Sequence, residues 1–112
     1  MDIDNTLAPH ELMPSNPIHP GEILKNELDA RGITQKTFAS ILGLSSSAMN
    51  ELINSRRPIH AKLALRLEAA TNIKAYVWVE LQAAYNLQMA MADKRFETTL
   101  KKIRKAAAEA GF

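Results

Sequence analysis

From residue 20 onward the apolar residues of this chain recur every three or four positions and almost nowhere alternate, a pattern that predicts helices and no sheet. Ile23, Leu24 and Leu28 form the first stripe. Pro20 at a first helical position and Glu22 in the first turn open it, and Gly32 closes it. Two short segments follow. Counting from Gln35, Phe38, Ala39 and Leu42 fall on one face of the first, and Met49 and Leu52 on one face of the second. Between them Gly43 tolerates the positive φ of a tight turn, Leu44 plugs the corner, and Ser45 is placed to cap the second helix. Pro58 closes a polar loop, residues 54–57. Beyond it Leu63, Ala64, Leu67 and Ala70 make another stripe, with Lys62, Arg66 and Glu68 outside it and Asn72 at its end. From about Ala75 a longer helix carries Val77, Trp78, Leu81, Ala84, Tyr85 and Met89, more apolar surface than one small core requires. A last amphipathic helix sets Phe96, Leu100, Ile103 and Ala107 on one face and Lys101, Lys102, Arg104 and Lys105 around the others.

The two short central segments fit a helix-turn-helix. Ala39 must be small because two helices crossing steeply bring its Cβ against the partner backbone, and five further positions agree with the same geometry. The face of the second helix that does not pack then presents Ser45, Ser46, Ser47, Asn50, Glu51 and Asn54, short polar side chains that suit base edges on a groove floor. Asn50 can pair bidentately with an adenine. Glu51 can accept from a cytosine amino group, or instead cap or bridge to Arg56. For phosphate contact the placement favours Thr34, Gln35 and Lys36 at the start of the first motif helix, and Arg56, Arg57 and Lys62 beyond the second. His60 and Arg66 belong to the same basic cluster, whose plainer reading is a solvated surface. Trp78, Leu81 and Tyr85 are candidates for a dimer interface, with completion of the core as the competing use.

Length and composition change the picture little. With 112 residues, 46% of them hydrophobic, the chain suits one small domain with flanking arms: an acidic arm over residues 1–19, a globular part over 20–92 and a basic segment over 93–112. Net charge is +2 overall, divided as −3, +2 and +3 among those segments. The first segment holds Pro9, Pro14 and Pro17 and no sustained period. It reads as extended or disordered, with Ile3, Leu7, Leu12, Met13 and Ile18 as spaced apolar anchors among acids. Its acids precede any Lys or Arg and no continuous apolar run follows, unlike a secretory leader. The chain has no cysteine, which excludes disulfides and thiolate metal sites. Residues 75–92, the most apolar stretch, contain Glu80, Gln82, Asn86 and Gln88, so a membrane span is not expected. There is no Gly-rich phosphate loop and no paired histidine motif. Residues 45–47 have no nearby His and carboxylate to activate a serine, and His10, His19 and His60 read as chance occurrences in or beside loops. Neither catalysis, a metal nor a cofactor is expected.

Residues 19–88 resemble the HigA/VapI-type antitoxins of the XRE-like helix-turn-helix class. The likeness is carried by HPGEILKNELDARGITQ at the start, ASILGLSSSAMNELINSRRPI through the motif, and LALRLEAAT followed by VWVELQAAYNL downstream. The opening HPGEIL together with a W-x-x-L-Q-x-x-Y helix is narrower than the motif that many repressors share. The resemblance implies an all-α, compact five-helix, lambda-repressor-like domain, here with an extended N-terminal arm and a basic C-terminal helix. It also implies a cytoplasmic homodimer that binds palindromic double-stranded operator DNA in its own promoter. The partner implied is a small RelE-like (HigB-like) toxin that cleaves ribosome-associated mRNA. A stand-alone repressor without a toxin partner is the alternative, because both use the same motif. Departures are informative. His60 and Lys74 occupy positions where a Ser or Thr cap is usual, so weaker helix starts are expected there, and Asn50 and Glu51 make the operator sequence this chain's own.

Overall fold

The computed structural model describes residues 17–112, which hold six helices and no strand. The acidic arm, with His10 and the anchors Ile3, Leu7, Leu12 and Met13, lies outside the described residues except for its last three. In chain order the helices are α1 (Pro20–Arg31), α2 (Gln35–Leu42), α3 (Ser46–Ile53), α4 (Ala61–Thr71), α5 (Ala75–Met91) and α6 (Lys94–Glu109). Contacts divide the chain into a compact unit, Ile18–Tyr85, and a second that includes Asn86–Phe112.

In the first unit every helix boundary has a chemical cause. Gly32 and Gly43 end α1 and α2 in the left-handed region, at φ 68° and 70°. There the Ile33 and Leu44 amides reach back to the Leu28 and Ala39 carbonyls. Thr34 and Ser45 cap α2 and α3, their hydroxyl oxygens accepting from the Thr37 and Ala48 amides at 3.1 Å each. Asn72 closes α4 at φ 66°, a conformation asparagine tolerates better than most residues.

The two helix starts expected to be weak are capped after all, by less usual groups. His60 Nδ1 accepts from the Leu63 amide at 3.3 Å, and Glu68, half-buried on α4, accepts from the Ala75 amide at 2.8 Å through Oε2. Glu68 is therefore no solvated bystander of its stripe. It joins the end of α4 to the start of α5 across a three-residue connection.

The core is built from one face of each helix: Leu24 and Leu28, then Phe38, Ala39 and Leu42, then Met49 and Leu52, then Leu63, Ala64 and Leu67, with Ile59 and Trp78 closing it. Leu24, Met49, Leu52 and Leu67 are fully buried, each contributing about 2 kcal/mol by removal of apolar surface from water. Ala70, expected on the α4 stripe, is exposed, and so are Ala84 and Met89 of the surplus stripe on α5. Gln82 takes an interior place instead, its Oε1 accepting from the Ile59 amide at 2.8 Å. A buried amide that satisfies an otherwise stranded loop N–H is worth more there than an aliphatic side chain.

The tightest joint is between the first turn of α1 and the end of α3. A Cβ at Gly21 would overlap the Leu52 carbonyl oxygen, so only glycine permits this approach. Gly21→Ala is expected to lower stability by about 2 kcal/mol through forced displacement of α1, read as a reduced urea midpoint with the slope unchanged. Gly32→Ala, where no atom lies near the added methyl and only the left-handed backbone objects, should cost about 1 kcal/mol.

Candidate nucleic-acid interface

α2 and α3 pack against each other through the Gly43 turn, and their outer surfaces carry most of the polar residues singled out above. On α3, Ser46, Ser47, Asn50 and Glu51 are exposed, while Ala48, Met49, Leu52 and Ile53 are buried beneath them. The helix thus has one wall in the core and one polar wall to solvent, which is what insertion in a groove requires. Ser45 sits at the N-cap with its oxygen engaged by the Ala48 amide, so it has an O–H left to donate. Asn54 sits at the other end, where its Nδ2 donates to the Asn50 carbonyl at 2.9 Å. Gln35, Lys36, Ala39, Ser46 and Met49 line one shallow groove of about 260 Å³ between the starts of the two helices. Both helix N-termini open on that side, and their unpaired amides favour an anion there.

The basic residues divide by what they touch. Arg57, Lys62, His60 and Arg66 line a second open groove, of about 320 Å³, with Gly43, Leu44 and Leu63. Within it Arg66 is committed elsewhere: its Nη1 donates to the Leu42 carbonyl at 2.9 Å and more weakly to that of Gly43 at 3.5 Å, capping the C-terminus of α2. Its side chain is exposed, and one guanidinium nitrogen ties it to the end of α2. Arg57 Nη2 pairs with Glu51 Oε1 at 2.9 Å, whereas the sequence spacing had suggested Arg56 as the partner. Arg56 meets Glu51 only through the backbone, its amide donating to the Glu51 carbonyl at 2.8 Å. Both side chains of the ion pair are partly solvated, so it adds less than about 1 kcal/mol. Its effect is to hold the Arg57 guanidinium beside the α3 surface and to mask part of the Glu51 charge. Arg56, Lys36 and Lys62 are exposed.

His19 is the residue whose role sequence reasoning missed. It is 3% exposed and caps α1, its Nδ1 accepting from the Gly21 amide at 2.9 Å. Its ring meets Tyr85 edge-on, with centroids 4.9 Å apart and planes at 78°. A further hydrogen bond joins it to the Arg57 backbone. One imidazole therefore ties the start of α1, the loop after α3 and α5 together. The signal was present as a polar residue immediately before Pro20 and Gly21, which is an N-cap position. Burial disfavours the charged ring and holds its pKa below the ordinary 6.5, with the bond to Arg57 opposing.

Of the three residues expected at a dimer interface, Trp78 is 1% exposed and belongs to the core, so its ring is not offered to a second chain. Leu81 and Tyr85 are half-buried, and Tyr76 and Val79 on the same helix are exposed. Among the described residues no group of three or more His, Asp or Glu is arranged to hold a metal ion. No helix among them is long and apolar enough to cross a membrane.

No family model matches the chain. It is 42% identical over 79 residues to virulence-associated protein I of Dichelobacter nodosus, spanning 70% of this chain and 73% of that one. An addiction module antidote protein of a HigA family from Coxiella burnetii is similar in structure, with TM-score 0.67 and 34% identity over 80% of this chain and 94% of that one. The Pseudomonas aeruginosa antitoxin HigA, solved with the higBA promoter, has TM-score 0.67 and 34% identity over 79% of this chain and 91% of that one.

A histidine with a folded-state pKa below its unfolded value adds stability that is complete above the unfolded pKa and disappears as pH falls through the folded pKa. Urea midpoints are therefore expected to fall as pH is lowered below the ordinary histidine range, where His19 takes up a proton and Nδ1 ceases to accept from Gly21. In His19→Asn, which keeps a capping side chain without the titration, that part of the fall should vanish. An unchanged pH dependence in the variant would show that His19 does not govern it.

Proposed function

Because the chain belongs to the HigA/VapI-type antitoxins of the XRE-like helix-turn-helix class, we propose that it binds operator DNA as a homodimer to repress its own operon and silences a small RelE-like, HigB-like toxin that cleaves mRNA. The observation that carries the DNA half is the exposed polar wall of α3, anchored by a buried wall and flanked by cations at both ends. A relative of the same fold was solved with promoter DNA.

In this reading α3 enters the major groove with Ser45, Ser46, Ser47, Asn50 and Glu51 toward base edges and Asn54 at its far end. Thr34, Gln35 and Lys36 meet one phosphate strand at the start of α2, and Arg56, Arg57 and Lys62 meet the other beyond α3. The Glu51–Arg57 pair limits repulsion between the carboxylate and nearby phosphates, and Arg57 can exchange that partner for a phosphate oxygen on docking. Two recognition helices spaced roughly 34 Å apart in successive major grooves require a near-palindromic site. The dimer surface falls on α5, where Leu81 and Tyr85 are partly accessible and Leu81 packs against the core that contains Trp78. The proposed setting is cytoplasmic, and no catalytic step is assigned to the chain.

Electrophoretic mobility shifts on the promoter upstream of the chain's own gene test the DNA half. Arg57→Ala is expected to weaken binding about tenfold and reduce the salt slope by about 1, whereas Arg66→Ala should lower stability by about 1 kcal/mol and leave the salt slope as it was. An Arg57→Ala protein with unchanged affinity at several salt concentrations would refute the docking. The toxin half is tested by affinity purification of the tagged chain from its native host in mild salt with mass spectrometry of what co-elutes. A small basic protein in near-stoichiometric amount is expected; recovery of the chain with promoter DNA alone would favour the free-standing repressor.

A further inference from the structure

α6 buries no side chain, and its apolar residues are spaced with a regularity that an isolated solvated helix does not need. Phe96, Leu100, Ile103 and Ala107 follow one another at intervals of four, three and four, the seam of a two-helix coiled coil. Phe96 is 44% and Ile103 56% exposed, while Leu100 and Ala107 are half-buried. Charge is sorted about this seam. Written as a heptad with Leu100 at a, the basic residues Lys94, Arg95, Lys101, Lys102 and Lys105 occupy b, c and f, which face away from a partner helix. The seam-flanking g positions, Thr99 and Ala106, are uncharged. The flanking e positions are Glu97 and Arg104, one of each sign, joined along the helix at 3.5 Å.

We propose that α6 pairs, antiparallel, with α6 of a second copy of this chain. Two features select the second copy and that direction. Aligned about the midpoint between Lys101 and Lys102, Leu100 faces Ile103 of the other copy, and bulky Phe96 faces small Ala107, so large and small side chains alternate across the seam. In the same alignment Glu97 on each helix comes beside Arg104 on the other, at both ends of the pair, and the helix dipoles oppose. A parallel pair would set Phe96 on Phe96 and leave Glu97 opposite the uncharged g positions. The seam is short, so pairing is weak between separate chains and strengthens wherever two chains are already held together. The inference does not depend on the DNA reading, because it involves no residue of α2 or α3.

The chain contains no cysteine, which makes cross-linking decisive. Full-length Leu100→Cys and Ile103→Cys proteins, mixed in a glutathione buffer, are expected to form the mixed disulfide on the order of tenfold faster than Lys105→Cys forms a disulfide with itself. Raising salt from about 0.1 M to about 0.5 M should preserve or increase the yield, because it screens the outward lysines and leaves the apolar seam intact. In sedimentation velocity, Leu100→Asp/Ile103→Asp should lose the largest concentration-dependent species while its thermal unfolding and promoter affinity stay those of the parent. Preferential Ile103→Cys self-cross-linking would mean a parallel pair and overturn the antiparallel assignment. Cross-linking no faster than at Lys105→Cys, or only with DNA present and lost in high salt, would show that α6 meets nucleic acid or another acidic surface and not its own copy.

Discussion

The seating of the first turn of α1 on the end of α3 constrains the rest of the unit Ile18–Tyr85. Gly21 brings backbone against the Leu52 carbonyl, and His19, one residue before the helix begins, holds Arg57 and Tyr85 in the same joint. α3, a helix of eight residues, has little stability of its own, since helix nucleation is unfavourable and short helices melt in water. It is instead positioned from outside: by α1 at its end, by α2 across the Gly43 turn, and by Ile59 and Gln82 beneath the loop that follows it. The apolar residues behind the exposed face of α3 are buried, which holds that face in place.

The basic residues around that interface serve different ends. Arg66 faces the same open groove as Lys62 and His60, yet its Nη1 donates to carbonyls at the end of α2. His60 caps α4, and Arg57 stands between protein and solvent, paired with Glu51 but able to exchange partners. Lys36, Arg56 and Lys62 are exposed cations. Counting charge along the chain would therefore overstate how much of it is free to meet an anion.

The helical elements and their caps were legible because they rest on local chemistry. Gly43 between Leu42 and Leu44, Thr34 and Ser45 before helical stripes, and Pro20 after a polar residue each state a backbone conformation within a few residues. The exposed side of α3 was legible for the same reason: once Met49 and Leu52 are assigned to the core, the helical period assigns Ser46, Ser47, Asn50 and Glu51 to the other face. Less regular caps were missed. Nδ1 of a histidine, or a Glu68 carboxylate reaching seven residues ahead, performs the task of a serine without resembling one.

By itself, then, the order of residues determined the helices of the described residues, the turn at Gly43 and the polar wall of α3, since each depends on contacts between near neighbours. Only the tertiary structure decided that Arg66 braces α2, that Arg57 and not Arg56 meets Glu51, that Trp78 lies in the core, and that His19 and Gln82 are buried and bonded. These outcomes depend on which groups, often far apart in sequence, converge in space. For a polar side chain, the partners it finds there determine whether it faces water or serves as internal structure.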